Sequence, residues 1–255
     1  MSESLADKAY YHIRQQLLTG RLAPGTRLSN RGMAKQLDIS FTPVREALSR
    51  LVSEGLLEYR DGLGVFVPVI DQHEIEDVYE LRETLECAAT KKICGKLPQS
   101  VLDAMERLVD EMAGLGETIQ REYGKGHGQE LTDRHAQIDS AFHLMLLRAA
   151  GNRLALDTAA GLRRIATIIA HTFDVNPWKE LTRTQDEHRR ILDAIRNGNT
   201  AEAQDTLSNH IRNGCQIALA AYKRHYMENA TDAPRRRRRD ASTLLPLEVG
   251  DNAGD

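Results

Sequence analysis

The segment of residues 41–69, FTPVREALSRLVSEGLLEYRDGLGVFVPV, constrains the fold of this chain more than any other. Thr42 is suited to cap a helix and Pro43 to occupy its first turn. Apolar residues then recur at helical spacing as far as Gly55, which ends the helix. After it, LLEYR and VFVPV predict two short strands joined by the glycine-bearing turn DGLG. The segment therefore predicts a helix that leads directly into a β-hairpin.

Two more helices are predicted before this segment. The first spans about residues 4–19 and ends at Gly20, APGTRL at 23–28 predicts a turn, and Ser29 caps a short second helix. Elements in this order are typical of a winged helix-turn-helix. There, a helix with an apolar body and a basic first turn buries its body and places its N-terminus in the major groove of DNA. Any small α+β domain can contain the same elements, so periodicity alone leaves both interpretations open.

Charge is divided unevenly along the chain, whose formal net charge is −3. Residues 1–70 carry nine Lys or Arg against seven Asp or Glu, whereas residues 71–234 carry 20 against 26. A mildly basic first part therefore precedes a larger acidic part. The division permits a polyanionic partner for the first part, but an excess of this size does not establish one.

The residues LAPGTRLSNRGMAKQLDISFTPVREALSRLVSEGLL, followed by GVFV, closely resemble the DNA-binding domain of GntR-type bacterial transcription regulators. The resemblance covers residues 8–68, and TPVREAL with the later EGLL is its specific signature. It implies a double-stranded DNA operator as partner. It also implies that Arg31, Thr42, Arg45 and Gly62 contact DNA. Phe41 and Pro43, which lie next to Thr42, complete the predicted set of DNA-contacting residues.

This sequence departs from the family pattern at two positions. Phe41 stands where the family usually has arginine, and Asn30 stands where it usually has glutamate. Loss of an arginine removes a bidentate guanine contact worth ~1–3 kcal/mol of discrimination, or a phosphate contact, whereas a phenylalanine can touch a thymine methyl. We therefore expect an operator that differs from the family consensus at the base pair that Phe41 meets. Selection of the ordinary family half-site would contradict this expectation.

From Asp71 onward the sequence shows helical patterns separated by short turns, which predicts an antiparallel helical bundle. The predicted helices span residues 72–95, 98–122, 133–150, 152–173, 177–197 and 200–226. The predicted fold class is mainly α, with a winged helix-turn-helix at 1–70 and an all-α bundle at 71–228. Residues 229–255 are predicted to be a disordered tail. Its five consecutive arginines either add salt-sensitive DNA affinity or are simply solvated.

Four polar residues fall on the core-facing stripes of three bundle helices. Asp139 and His143 are four residues apart on one helix, and His188 and His210 lie on apolar stripes of two others. Unpaired burial of such groups is costly, and a divalent metal would use them as ligands. A single inward histidine is usually a hydrogen-bonded core residue, so the spacing leaves both interpretations open.

Arg82 lies within another inward stripe, that of VYELRETLE. An inward guanidinium requires an anion. The anion is either Glu86, four residues later, or the carboxylate of an organic acid held by a bidentate contact.

The residues DSAFHLMLLRAAGN, DEHRRILDAIRNGNTAEAQ and LSNHI resemble the metal-binding effector domain of the FadR subfamily of GntR regulators, known as the FCD domain. The resemblance covers about residues 72–225. It implies that Asp139, His143, His188 and His210 bind a divalent metal, zinc in the first place, with nickel or manganese as alternatives. It also implies a small carboxylate effector beside the metal, for which Arg82 is the expected partner.

Together these observations predict a homodimeric, metabolite-responsive transcription regulator that acts as a repressor and is not an enzyme. A regulator that senses the metal alone is an alternative. A metal-dependent hydrolase with a DNA-binding appendage is another, because three histidines and a carboxylate can activate water, yet no further general base stands out. An acyl-CoA sensor is disfavoured, because the four metal ligands would have no role in its pocket.

The chain lacks a run of about 18 apolar residues and an apolar secretory signal, so no membrane partner is expected. The three cysteines, Cys87, Cys94 and Cys215, form no C-x-x-C pair. An odd number of unpaired cysteines is expected of a cytoplasmic protein whose cysteines serve as packing residues.

Overall fold

The computed structural model describes residues 4–122, 128–173 and 181–228. Nine helices and one three-stranded sheet lie within these ranges, so the protein is mainly α. In chain order the elements are α1 (Leu5–Leu18), β1 (Arg27–Leu28), α2 (Asn30–Leu37), α3 (Phe41–Ser53), β2 (Glu58–Arg60), β3 (Gly64–Phe66), α4 (Gln72–Ile93), α5 (Gln99–Glu122), α6 (Gly128–Ala150), α7 (Arg153–Thr172), α8 (Leu181–Arg196) and α9 (Thr200–Glu228).

The first six elements form the predicted winged helix-turn-helix. Side-chain caps start its first two helices: Ser4 accepts a hydrogen bond from the Asp7 backbone N–H, and Ser29 accepts one from Gly32. The helix α3 begins at Phe41, and Ser40 is its N-cap residue. The prediction that Thr42 caps α3 is therefore wrong. Both residues are good caps, and Pro43 fits the first turn in either register because its missing N–H has no intrahelical partner there.

The wing is a sheet in the order β1–β3–β2, with both pairs antiparallel. The strand β3 pairs with β2 through the predicted hairpin and also with β1, where Arg27 lies opposite Phe66. The prediction of a turn throughout 23–28 is therefore wrong for its last two residues. A two-residue strand is too short to show the alternation by which strands are predicted.

The helices α4 to α9 form the predicted bundle, and α4 packs against α6, α7 and α9. Asp71 starts α4 with a capping box, in which its side chain and that of Glu74 each accept the other's backbone N–H. The helix α6 begins at Gly128, earlier than the predicted 133. The first residues of the predicted helix 177–197, and the whole predicted tail 229–255, lie outside the described ranges. No described helix combines the length and the apolar character that crossing a bilayer requires.

The buried apolar residues form two clusters. One lies inside the bundle, around Phe142, Leu146 and Met105. The other begins in the winged domain, with Ile13 and Leu48 among its members, and continues into α7 and α9. The predicted division after residue 70 falls between β3 and α4, so this second cluster joins the two sides of that division.

Candidate functional site

The structure brings together the four residues that the sequence singled out as metal ligands. Asp139 and His143 project from α6, His188 from α8 and His210 from α9, and one ligand atom from each lies within 4.8 Å of the others. His143 and His188 are fully buried, whereas the side chain of Asp139 is 23% exposed. Three helices thus meet at one small polar centre inside an otherwise apolar bundle.

Each histidine of this centre is held by a hydrogen bond from its Nδ1 atom. The partners are the carboxylate of Glu86 for His143 (2.5 Å), the backbone carbonyl of Thr184 for His188 (2.7 Å) and the carboxylate of Glu187 for His210 (2.9 Å). All three partners accept, so each Nδ1 carries the proton that is donated. Such bonds fix the tautomer and the ring orientation of metal-binding histidines.

The opposite ring nitrogens face one another. The Nε2 atoms of His143 and His188 are 3.2 Å apart. Asp139 Oδ1 lies 3.1 Å from the His188 Nε2 atom and 3.6 Å from the His143 Nε2 atom. Because each Nδ1 is engaged by its own hydrogen bond, the two Nε2 atoms are the ring positions left to hold a cation at this centre. The donor set, three imidazole nitrogens and a carboxylate oxygen, is one that zinc, nickel and manganese accept.

The electrostatics of His210 and Asp139 favour the forms of these two side chains that bind a metal. Burial, with the nearby His188, lowers the pKa of His210 to about 4, so this ring is neutral at pH 7. Burial raises the pKa of Asp139, but His143 and Arg163 outweigh burial and hold that pKa well below its usual value. A neutral imidazole and an ionised carboxylate are the ligand forms of the two side chains.

Two buried arginines and a buried glutamate surround this centre. Arg82 donates from Nε to Glu86 Oε1 at 3.2 Å, so the glutamate considered as its alternative partner lies against it. Arg163 donates from Nη1 to Asp139 Oδ2 at 2.9 Å, and its Nε lies 3.4 Å from Glu86 Oε1. Burial raises the pKa of Glu86, but Arg163, His143 and Arg82 outweigh it and hold the pKa well below its usual value.

Sequence reasoning missed several residues of the centre. Glu86 was considered only as a partner of Arg82, and Glu187 and Arg163 were not considered. His135, which is 7% exposed with its Nε2 lacking a hydrogen-bond partner, was also missed. Its spacing of four residues before Asp139 on α6 was a usable signal. No sequence signal pointed to Arg163, because the sequence does not show which face of α7 packs against α6.

The predicted DNA-contacting residues lie at the starts of α2 and α3 and in the turn between β2 and β3. All are exposed except the partly buried Pro43: Arg31, Phe41, Thr42, Pro43, Arg45 and Gly62. Phe41 is 43% exposed, and the Arg45 guanidinium lies 6.0 Å from its ring centre. Neither Arg31 nor Arg45 forms an ion pair with a described residue. These groups therefore present positive charge and one aromatic surface to solvent.

Two family models match the chain. Residues 5–67 match the model described as "Bacterial regulatory proteins, gntR family", and residues 77–213 match the FCD domain. The first match covers the winged domain and the second covers all four residues of the polar centre.

Curated relatives and solved structures agree with these matches. An uncharacterised HTH-type transcriptional regulator of Streptomyces ambofaciens is 30% identical over 207 residues, which is 80% of each chain. The HTH-type transcriptional repressor RspR of Escherichia coli is 24% identical, over 83% of this chain and 87% of that protein. The structure of E. coli McbR/YncC has the same fold, with a TM-score of 0.67 at 22% identity over 88% of this chain and 100% of that one.

These families and relatives are transcription regulators, which confirms the expectation that the chain is not an enzyme. The chain belongs to the gntR family of bacterial transcription regulators, with an FCD domain following its DNA-binding domain.

Proposed function

We propose that this regulator is a metabolite-responsive repressor whose bundle holds a divalent metal ion and a small organic acid. The observation that carries the proposal is the pair of Nε2 atoms, on His143 and His188, that face each other at 3.2 Å with Asp139 beside them. Asp139, His143, His188 and His210 would hold the ion, and zinc fits this nitrogen and oxygen set first. The bound ion would supply positive charge at a buried site.

The charges around the centre favour an anionic effector. Three carboxylates and two buried guanidinium groups surround the histidines: Asp139, Glu86, Glu187, Arg82 and Arg163. A divalent cation therefore leaves the site with an excess of about one positive charge by formal charge counting. A carboxylate would reduce this excess, and Arg82 is the predicted partner for it.

On the DNA side, residues 1–70 would read the operator and residues 71–228 would sense the ligand. Two copies would form a homodimer and place their α3 helices in successive major grooves of a near-palindromic site. Arg31 and Arg45 supply the positive charge for this contact, and Phe41 supplies an apolar surface. The repressor name of RspR supports repression as the outcome.

The effector can regulate only if it binds one arrangement of the two domains more tightly than another. Ligand binding can be coupled to the arrangement of the domains here, because the apolar cluster of the winged domain continues into α7, on which Arg163 lies. Arg163 contacts Asp139 at the metal centre. A change at the centre can therefore displace the helix against which the winged domain packs.

The test is a thermal-shift screen of dicarboxylates, sugar acids and hydroxy acids on the metal-loaded protein, followed by operator-binding titrations with each hit. An effector at a hundredfold excess over its Kd should add ~2.7 kcal/mol to the free energy of unfolding. It should also change operator affinity in the metal-loaded protein and leave that affinity unchanged in the His210→Ala variant. The matched control is Arg148→Ala, which alters an exposed residue of α6 that takes part in no described ion pair.

Two outcomes would contradict the proposal in different ways. If metal alone changes operator affinity and no acid adds to the change, the protein senses the metal itself. If neither metal nor acid changes operator affinity, the polar centre has a structural role only.

A further inference from the structure

A cavity of about 280 Å³ lies between the winged domain and the bundle, and Arg163 separates it from the metal centre by contacting Asp139. Arg14 of α1 lines one side, Gln137 and Ser140 of α6 line another, and Arg163 and Arg164 of α7 complete it. No Asp or Glu is among the described residues that line it. The cavity therefore combines three guanidinium groups with neutral polar and apolar side chains.

The arginines of this cavity carry nitrogen atoms that are buried without a hydrogen-bond partner. They are Nε of Arg14, Nε and Nη2 of Arg163, and Nε of Arg164, and no other arginine among the described residues has such an atom. Arg163 is only 6% exposed. Buried polar groups are almost always hydrogen-bonded, and buried charges are almost always paired, because leaving them unpaired is costly. Arg163 and Arg164 each contact a carboxylate, yet all three guanidinium groups around this cavity keep at least one buried N–H without an acceptor, which indicates a missing anionic partner.

We propose that this cavity binds a small oxyanion, through a carboxylate or a phosphate group, at a site that is next to the metal centre and uses none of its four ligands. Both groups present paired oxygen atoms that match the planar fork of a guanidinium. The volume restricts the ligand to a small one, because pockets for drug-sized ligands begin at about 300 Å³. Gln137 and Ser140 provide further hydrogen bonds to the oxygens.

An oxyanion at this site would act on the recognition helix through Glu54, which ends α3. Glu54 accepts hydrogen bonds from the Tyr10 hydroxyl at 2.7 Å and from Arg50 Nε at 3.2 Å. The Arg164 guanidinium lies 3.9 Å from the same carboxylate. A bound oxyanion competes with Glu54 for Arg164 and, at the same time, joins α1 to α7. Its occupancy therefore changes how the winged domain is held on the bundle.

The test uses the full chain treated with a chelator, so that the metal centre contributes no anion affinity and failure of the metal proposal cannot affect the result. Inorganic phosphate and succinate are titrated separately by calorimetry, against chloride at equal ionic strength. We expect saturable binding of at least one of the two, and the stronger binder identifies the group that the site prefers. Arg14→Gln and Arg164→Gln should each weaken binding by roughly tenfold or more, since a lost charge-assisted hydrogen bond is worth at least that factor.

The control is Arg148→Gln, which removes an exposed arginine of α6 outside the cavity and should bind the anion as the unaltered protein does. Arg14→Lys keeps the charge but loses the fork, and it should also weaken binding if the geometry matters. Because Arg14 is partly buried and forms no ion pair with a described residue, its variants test the proposal even if Arg164→Gln does not fold. The proposal is overturned if neither anion binds saturably, or if the Arg14 variants bind as tightly as the Arg148 variant.

Discussion

At the scale of single residues, the polar centre depends on the groups that hold the histidines as much as on the histidines themselves. Four ligand candidates were found from sequence because each lies on an apolar stripe, where a polar residue stands out. Two of their supports were not found, because Glu187 sits at a position that also suits an exposed helical residue, and the partner of His188 is the backbone carbonyl of Thr184, which no side-chain pattern reveals. Which side-chain atoms meet across two helices depends on the rotation of each helix, and that rotation is not encoded in the period of one helix alone.

Removal of one such support is expected to weaken metal binding. Glu187→Ala deletes the carboxylate that accepts the His210 Nδ1 proton at 2.9 Å, so the ring loses its fixed tautomer and orientation. Metal affinity should fall by roughly 10–100-fold, the usual cost of losing such a hydrogen bond. The measurement is competition against a chelating dye. Glu80→Ala, at an exposed glutamate of α4, is the control and should leave the affinity unchanged. Equal affinities of the two variants would contradict the role assigned to Glu187.

At the scale of elements, the helices of the bundle were predictable and their junctions were not. Apolar periodicity located all six helices because each is long and buries one face. The start of α3 was placed two residues too late, because Ser40 and Thr42 are both suitable caps. The strand β1 was missed because Arg27 and Leu28 are too few to form a pattern. Both incorrect predictions concern places where one or two residues determine the structure, because the local sequence there is compatible with more than one structure.

One junction allows a sharp test. Gly95, after α4, and Gly198, after α8, both have a left-handed backbone, and a Cβ on Gly95 would lie 3.1 Å from the Gly198 Cα. Gly95→Ala should therefore cost the ~1–2 kcal/mol of left-handed strain together with the cost of the backbone contact. Gly151→Ala, after α6, has the same strain, but nothing lies within 4 Å of its Cβ. Denaturant unfolding of both variants measures the difference.

The reciprocal substitution gives a second control for this junction. A Cβ on Gly198 would lie 3.7 Å from the Gly95 Cα, which is ordinary contact. Gly198→Ala should therefore resemble Gly151→Ala rather than Gly95→Ala in its free energy of unfolding. If all three variants lose the same stability, the close approach of the two chain segments has no energetic consequence.

At the scale of the whole molecule, the sequence predicted two domains but not how they are joined. The residues Ile168 and Ile169 of α7 fit the helical period of a bundle core, and nothing in that period shows that they pack with residues of the winged domain. Such contacts depend on which faces of two separately folded parts meet. The shared apolar cluster matters for regulation, because it makes the structural state of one domain depend on that of the other.

This shared cluster predicts that the two domains unfold together and that the metal stabilises both. The ligands come from α6, α8 and α9, so a metal at a hundredfold excess over its Kd should add ~2.7 kcal/mol of stability, or roughly 5–11 °C in Tm for a chain of this size. Differential scanning calorimetry of metal-loaded and chelator-treated protein should show one transition that shifts as a whole. His188→Ala should give one transition that the metal does not shift. Two transitions, of which only one responds to the metal, would mean that the shared cluster is too weak to transmit the state of the bundle to α1, α2 and α3.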